Sequence, residues 1–131
     1  MANVLTNAGR AIITNRLNGS GTTPLYIGWG TNTGTSAVGD TTLFTETAAN
    51  LSTTTGTRVT GTASQQTTSV TNDTFQVTGT ITATAGGTTT NAGIFDNSTI
   101  GSGNLFLKGD YTGIVLANGD SVTYTFKIQF T

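Results

Sequence analysis

The sequence predicts an all-β protein, a single antiparallel β-sandwich or flattened barrel with a short N-terminal helix. Three observations carry that expectation. Threonine fills about a quarter of the 131 positions, and its β-branched side chain suits a pleated, half-buried surface. Eighteen glycines, together with frequent Asn, mark turns. The runs between those turns alternate apolar and polar residues with period two. The length suits one domain. Residues 1–20 read as a helical arm, and residues 21–131 as the sandwich, with a long loop at 30–57.

The elements follow in chain order. Leu5 to Leu17, "LTNAGRAIITNRL", is the one helical pattern, with Leu5, Ala8, Ile12 and Arg16 spaced by three and four. Thr6 or Asn7 caps its start, and "NGSG" stops it. Being short, it needs a packing partner, either an open sheet end or another subunit. "PLYIGW" reads as a strand with Leu25 and Ile27 on one face. The glycines of "GWGTNTGT" that follow suggest a phosphate-binding loop. That reading fails, because no helix pattern follows and no Lys occurs between Arg16 and Arg58. Residues 30–57 are expected instead to leave the sheet as a long polar excursion pinned by Leu43 and Phe44.

"TGTRVTGTASQQTTSV" and "DTFQVTGTITATA" read as two alternating runs around a "TND" turn. Phe75, Val77, Ile81 and Ala83 share the apolar face. "AGGTTTNAG" reads as a break. "NLFLKGDY" is a strand, "ANGD" a tight turn, and "SVTYTFKIQF" the final strand. In the last, Val122, Tyr124, Phe126, Ile128 and Phe130 point one way, the strongest strand signal in the chain. So thin a core is marginal for a chain of this size, which points to association.

Composition narrows function by exclusion. Only 8 % of residues are charged, the net charge is −1, and no basic block occurs. No nucleic-acid surface is expected. No apolar run reaches the roughly 18 residues of a membrane span, so no membrane partner is expected. "MANVLTNAGR" lacks a signal-peptide pattern, and assembly in a cytoplasm is expected. With no Cys and no His, imidazole-based triads and the usual zinc sites cannot be built. Most acids sit beside Gly or Asn, which is turn chemistry. No catalytic residue, cofactor or metal is therefore assigned. Asp40, Asp96 and Asp110 lack the spacing of a calcium loop. Lys108 and Lys127 read as paired surface charges rather than cross-linking groups.

"YIGWGTNTGT…DTTLFTE", "TNDTFQVTGTITAT", "NAGIFD…GNLFLKGDY" and "LANGDSVTYTFKIQF" resemble small virion structural proteins of tailed bacteriophages. The likeness covers most of the chain. It implies a β-rich, non-enzymatic particle component, first of all a capsid decoration (cement) protein on the outer capsid surface. Its implied partners are the major capsid protein and further copies of itself, as a homotrimer. A tail, baseplate or fibre-tip protein is the alternative. A free glycan-binding module is a third reading, with Tyr26 and Tyr111 as its candidate aromatics. The expected contact residues lie on the helix and the loop: Leu5, Arg10, Ile13, Trp29, Thr31, Thr35, Leu43 and Phe44. Trp29 has two readings, interface anchor or core residue, and burial statistics favour the core.

Overall fold

The computed structural model describes residues 3–131. It is a sandwich of two antiparallel sheets. The larger sheet has the order β1–β8–β7–β2–β3, with β4 also paired to β2; the smaller has the order β5–β6–β9. Its strands are β1 (Val4–Leu5), β2 (Tyr26–Gly30), β3 (Glu46–Thr47), β4 (Val59–Thr60), β7 (Gly87–Phe95) and β8 (Leu105–Leu116). The smaller sheet holds β5 (Thr62–Gln66), β6 (Thr74–Thr82) and β9 (Ser121–Gln129).

The helix α1 spans Asn7–Leu17, and Thr6 caps it by accepting from the Gly9 N–H at 2.9 Å. Leu5 is not its first apolar residue but part of β1, opposite Leu107. Ile12 turns inward and is buried, so the helix packs on β8 of its own chain. The N-terminal segment is thereby joined to the larger sheet rather than set apart from it.

Between the sheets lies one main core. Ile27, Trp29, Ala92, Ile94, Phe106 and Leu107 face Val77, Ile81, Tyr124 and Phe126. The face expected for β6 is the face observed: Val77, Ile81 and Ala83 are buried. In β9, Tyr124 and Phe126 are buried, whereas Phe130 lies past the strand and is 54 % exposed. Expected as one run, residues 59–66 divide: β4 pairs with β2, while β5 pairs with β6. The chain changes sheets at Gly61, whose N–H donates to Leu25 O at 2.7 Å.

The largest departure is β7. "GTTTNAGIF", whose first part reads as a break, is a strand of nine residues lying between β8 and β2. A strand covered on both faces need not alternate, and Thr89 through Phe95 are all buried. Its polar side chains find partners. The Tyr111 hydroxyl donates to Thr89 Oγ1 at 3.1 Å, and the Thr90 hydroxyl donates to Asn32 O. β8 is longer than its sequence signal and carries irregular register opposite Thr89–Asn91 and Ile94–Phe95.

The β5–β6 turn is held by Asp73. Its carboxylate accepts from the Thr68, Ser69 and Val70 N–H groups at 2.8, 3.0 and 3.0 Å, and from Gln129 Nε2 at 2.9 Å. These donors, the Val70 and Thr68 amides foremost, hold its pKa far below the ordinary carboxylate range. The unfolded chain, titrating near a pKa of about 3.9, therefore binds this proton first as pH falls. Stability due to Asp73 is present above that value and is lost below it. Thermal melts from pH 7 to pH 2 should show a fall in Tm beginning near pH 4, and Asp73→Asn should flatten that fall. A second prediction follows from the faces of β6 and β9. Phe126→Ala should cost about 3–5 kcal/mol by emptying a closed core site. Thr80→Ala, which removes one exposed hydroxyl pair with Thr123, should cost about 0.5 kcal/mol. Urea unfolding of the two variants measures the difference.

Candidate functional site

The loop expected to leave the sheet instead lies on it. The outer face of the larger sheet carries Gly28 and Gly30 of β2 and Gly93 of β7, with Gly28 paired to Gly93 and Gly30 to Asn91. These glycines form a shelf without side chains. A Cβ at Gly28 would strike the Glu46 carboxylate, one at Gly30 would strike Phe44 O, and one at Gly93 would meet Leu43 Cδ2 at 2.9 Å. Residues 31–47 use that space. Leu43 closes a small second core with Phe95 and Leu105.

Polar groups on the same face fix the loop. Asn91 is fully buried. Its side chain accepts from the Phe44 N–H at 3.0 Å and donates to Phe44 O and Asn32 O, both at 3.1 Å. The Thr31 N–H donates to Thr45 O at 3.1 Å, and the Ser36 N–H to Asp110 Oδ1 at 2.7 Å. Hydrogen bonding from Ser36 holds the Asp110 pKa down.

Two buried cations complete the seam. Lys108 is not a surface charge, because it is fully buried. Its ammonium donates to Asp40 Oδ2 at 2.8 Å and Thr42 O at 2.9 Å, and lies 3.3 Å from the centre of the Phe44 ring. Burial opposes ionisation of Asp40, but the bonds from Lys108 and the Ala37 N–H outweigh it and lower its pKa. Arg58 makes a two-pronged pair with Glu46 at 2.7 and 2.8 Å. It also donates to Asn97 O and Ser102 O, both at 2.8 Å, and stacks 3.4 Å from the Phe95 ring centre. Bidentate pairing backed by further hydrogen bonds is what a buried charge requires.

The expected contact residues separate into two groups. Trp29 is core, 1 % exposed, with its indole N–H donating to Ala48 O at 3.1 Å. Leu43 is buried as well. Trp29 lies between the sheets and Leu43 between the loop and the sheet, and neither offers surface. Leu5, Ile13, Thr31 and Phe44 are half-buried, while Arg10 and Thr35 are exposed. The structure brings helix and loop together, since the Asn7 N–H donates to Val38 O at 2.8 Å. Arg10, Val38 and the 33–39 stretch therefore share one continuous surface. Tyr111 is no free aromatic: its hydroxyl meets that of Tyr124 at 2.5 Å, and burial raises the pKa of both.

The seam roles of Lys108, Asn91, Asp40 and the Arg58–Glu46 pair are absent from the sequence expectations. Lys108 carried a readable signal, a lone charge inside the apolar run "LFLKGDY"; the others carried none. Among the described residues, no group of three or more His, Cys, Asp or Glu could hold a metal ion. No helix there is long and apolar enough to cross a membrane. No family model matches the chain, and no curated protein or solved structure matches it.

The two partners of the Lys108 pair differ in exposure, the Lys108 side chain at 1 % and that of Asp40 at 24 %. Asp40→Ala leaves a buried ammonium without its counter-ion and should cost about 3–5 kcal/mol. Lys108→Met leaves a carboxylate that water can reach and should cost less than about 3 kcal/mol. Chemical denaturation of the two variants should show that order.

Proposed function

We propose that the protein is a structural component of a tailed-phage particle, in the first place a capsid decoration protein. It stabilises the head by binding the major capsid protein non-covalently, and it catalyses nothing. One observation carries the non-catalytic half of this reading: all six carboxylates are engaged in holding the fold. Asp40 and Glu46 bind the buried cations. Asp73 holds the β5–β6 turn, and Asp110 fixes the loop through Ser36. Asp96 accepts from the Asn104 backbone at 2.6 Å, and Asp120 from the Ala117 N–H at 2.8 Å. General acid–base chemistry needs a carboxyl within reach of a substrate and tuned for proton transfer. Groups used as turn staples, with pKa values lowered where they shift, suit neither need.

The particle half of the reading rests on the resemblance of the sequence and on the pinned loop. A surface that is ordered before it binds loses little conformational entropy on binding. The helix start and residues 33–39 supply such a surface, neutral and rich in hydroxyl groups apart from Arg10. Contact there depends on shape and area more than on charge.

Co-sedimentation with phage heads stripped of this protein tests the proposal. The wild-type chain should pellet with heads. Arg10→Glu combined with Thr35→Arg should abolish pelleting while changing stability by no more than about 0.5 kcal/mol, as expected for exposed positions. Pelleting with isolated tails but not heads assigns the protein to the tail or baseplate. Pelleting with neither overturns the particle reading.

A further inference from the structure

Between α1, the turn that follows it and the ends of β6 and β9 lies an apolar groove of about 290 Å³. Ile12 and Phe106 are its buried floor, and Phe75 and Ile128 are half-buried walls. Leu17 and Phe130 stand at its rim, 83 % and 54 % exposed. The chain sets the shape of the groove by itself. The Phe75 and Phe106 rings meet edge to face at 6.0 Å, and the Thr6 cap and buried Ile12 fix the helix. Apart from Thr23, Arg16 is the one polar side chain in the lining. Its guanidinium is anchored by donating to Gly21 O at 2.8 Å. It belongs to no ion pair among the described residues. Asp73 joins the far bank, where its carbonyl accepts from the Phe130 N–H at 2.9 Å. Its carboxylate, however, is taken up by the β5–β6 turn and by Gln129. The groove is therefore apolar with one uncompensated cation.

We propose that this groove binds a free single-chain amphiphile with an anionic head, a medium-chain fatty carboxylate, its alkyl chain between the helix and β9 and its carboxylate at Arg16. Clefts that are mostly apolar, preformed and marked by a few placed polar groups are where small ligands bind. Taking this lining out of water is favourable in proportion to its apolar area. An extended peptide would carry N–H and C=O groups into a lining that offers only the Thr23 hydroxyl and the Arg16 guanidinium, and unpaired backbone groups are costly to bury. An alkyl chain carries none. Charge complementarity fixes the head. Only one N–H-bearing nitrogen of Arg16 is occupied by backbone carbonyls, and the planar guanidinium matches the geometry of a carboxylate. A cationic head is repelled at the same place. The volume lies near the lower bound for ligand pockets and suits one chain rather than two.

Sodium decanoate, kept below the concentration at which it forms micelles, is the probe; decanol and decyltrimethylammonium are the head-group controls. Titration of the full chain followed by NMR should shift the signals of Ile12, Ile13 and Ile128 and give a dissociation constant for decanoate below about 1 mM. Decyltrimethylammonium should bind about fivefold more weakly, the scale of an exposed charge contact. Arg16→Glu should weaken decanoate about fivefold or more while leaving decanol within about twofold. Ile13→Trp fills the groove and should abolish binding of both. Thermal melts check that the two variants fold. No saturable binding of decanoate, shifts that map elsewhere, or an affinity indifferent to Arg16→Glu overturns the proposal. A stable dimer that decanoate neither binds nor dissociates assigns the groove to a second copy and overturns it as well. None of these readouts involves phage heads or tails, so the particle reading stands or falls separately.

Discussion

The structure depends on a bare patch of backbone. Gly28, Gly30 and Gly93 leave the middle of the larger sheet without side chains on its outer face. Exposed backbone of this kind is a poor end state, because it offers no apolar surface to bury and weakens the strand. The loop removes the problem by lying directly on the sheet. Leu43, Phe44 and Glu46 approach closer than any Cβ would allow. That contact turns a two-layer sandwich locally into three layers. It also makes β7 a strand buried on both faces, and the remaining features of the seam follow from that.

Burial of this seam explains why the polar groups sit where they do. A loop of Thr, Asn and Gly brings few apolar side chains, so little hydrophobic stabilisation is available to hold it. Directional bonds take that role. Asn91 uses both ends of its amide against Phe44 and Asn32. Lys108 and Arg58 are each seated on an aromatic ring and pair with an acid drawn from the loop. Buried charges contribute modest net stability once desolvation is counted, yet each is costly to leave unpaired. Such groups penalise every loop position except one. The seam is therefore better understood as fixing geometry than as adding stability.

The same physics sets what the sequence disclosed. β6 and β9 were legible because one face of the smaller sheet meets water, so Thr alternates with Val, Ile, Tyr and Phe. The helix was legible from its cap and its stop, with only Leu5 misplaced. β7 was not legible. "TTTNAG" has the composition of a loop, and its Thr and Asn side chains are satisfied by groups more than fifty residues away in the case of Asn32. No local pattern encodes a partner so distant. Leu43 illustrates the complementary error: an apolar residue in a polar loop suggests an anchor for a partner, and here the partner is the chain itself; Trp29 takes the core place that burial statistics favour.

This arrangement also bears on how such a surface binds. Loops that fold on contact lose affinity to their own ordering. Here the ordering is complete before any partner arrives, because Lys108, Asn91, Arg58 and Asp110 each hold a different part of the stretch from Asn32 to Glu46. Small hydroxyl side chains then suffice at the surface, since shape is already set and no long side chain must be immobilised. A chain with 8 % charged residues can place four of its eleven charged side chains, Lys108, Asp40, Arg58 and Glu46, in this one seam. It does so without leaving the exposed part of the loop charged. Under the proposed function, selectivity at that surface comes from contour, which a rigid backbone presents.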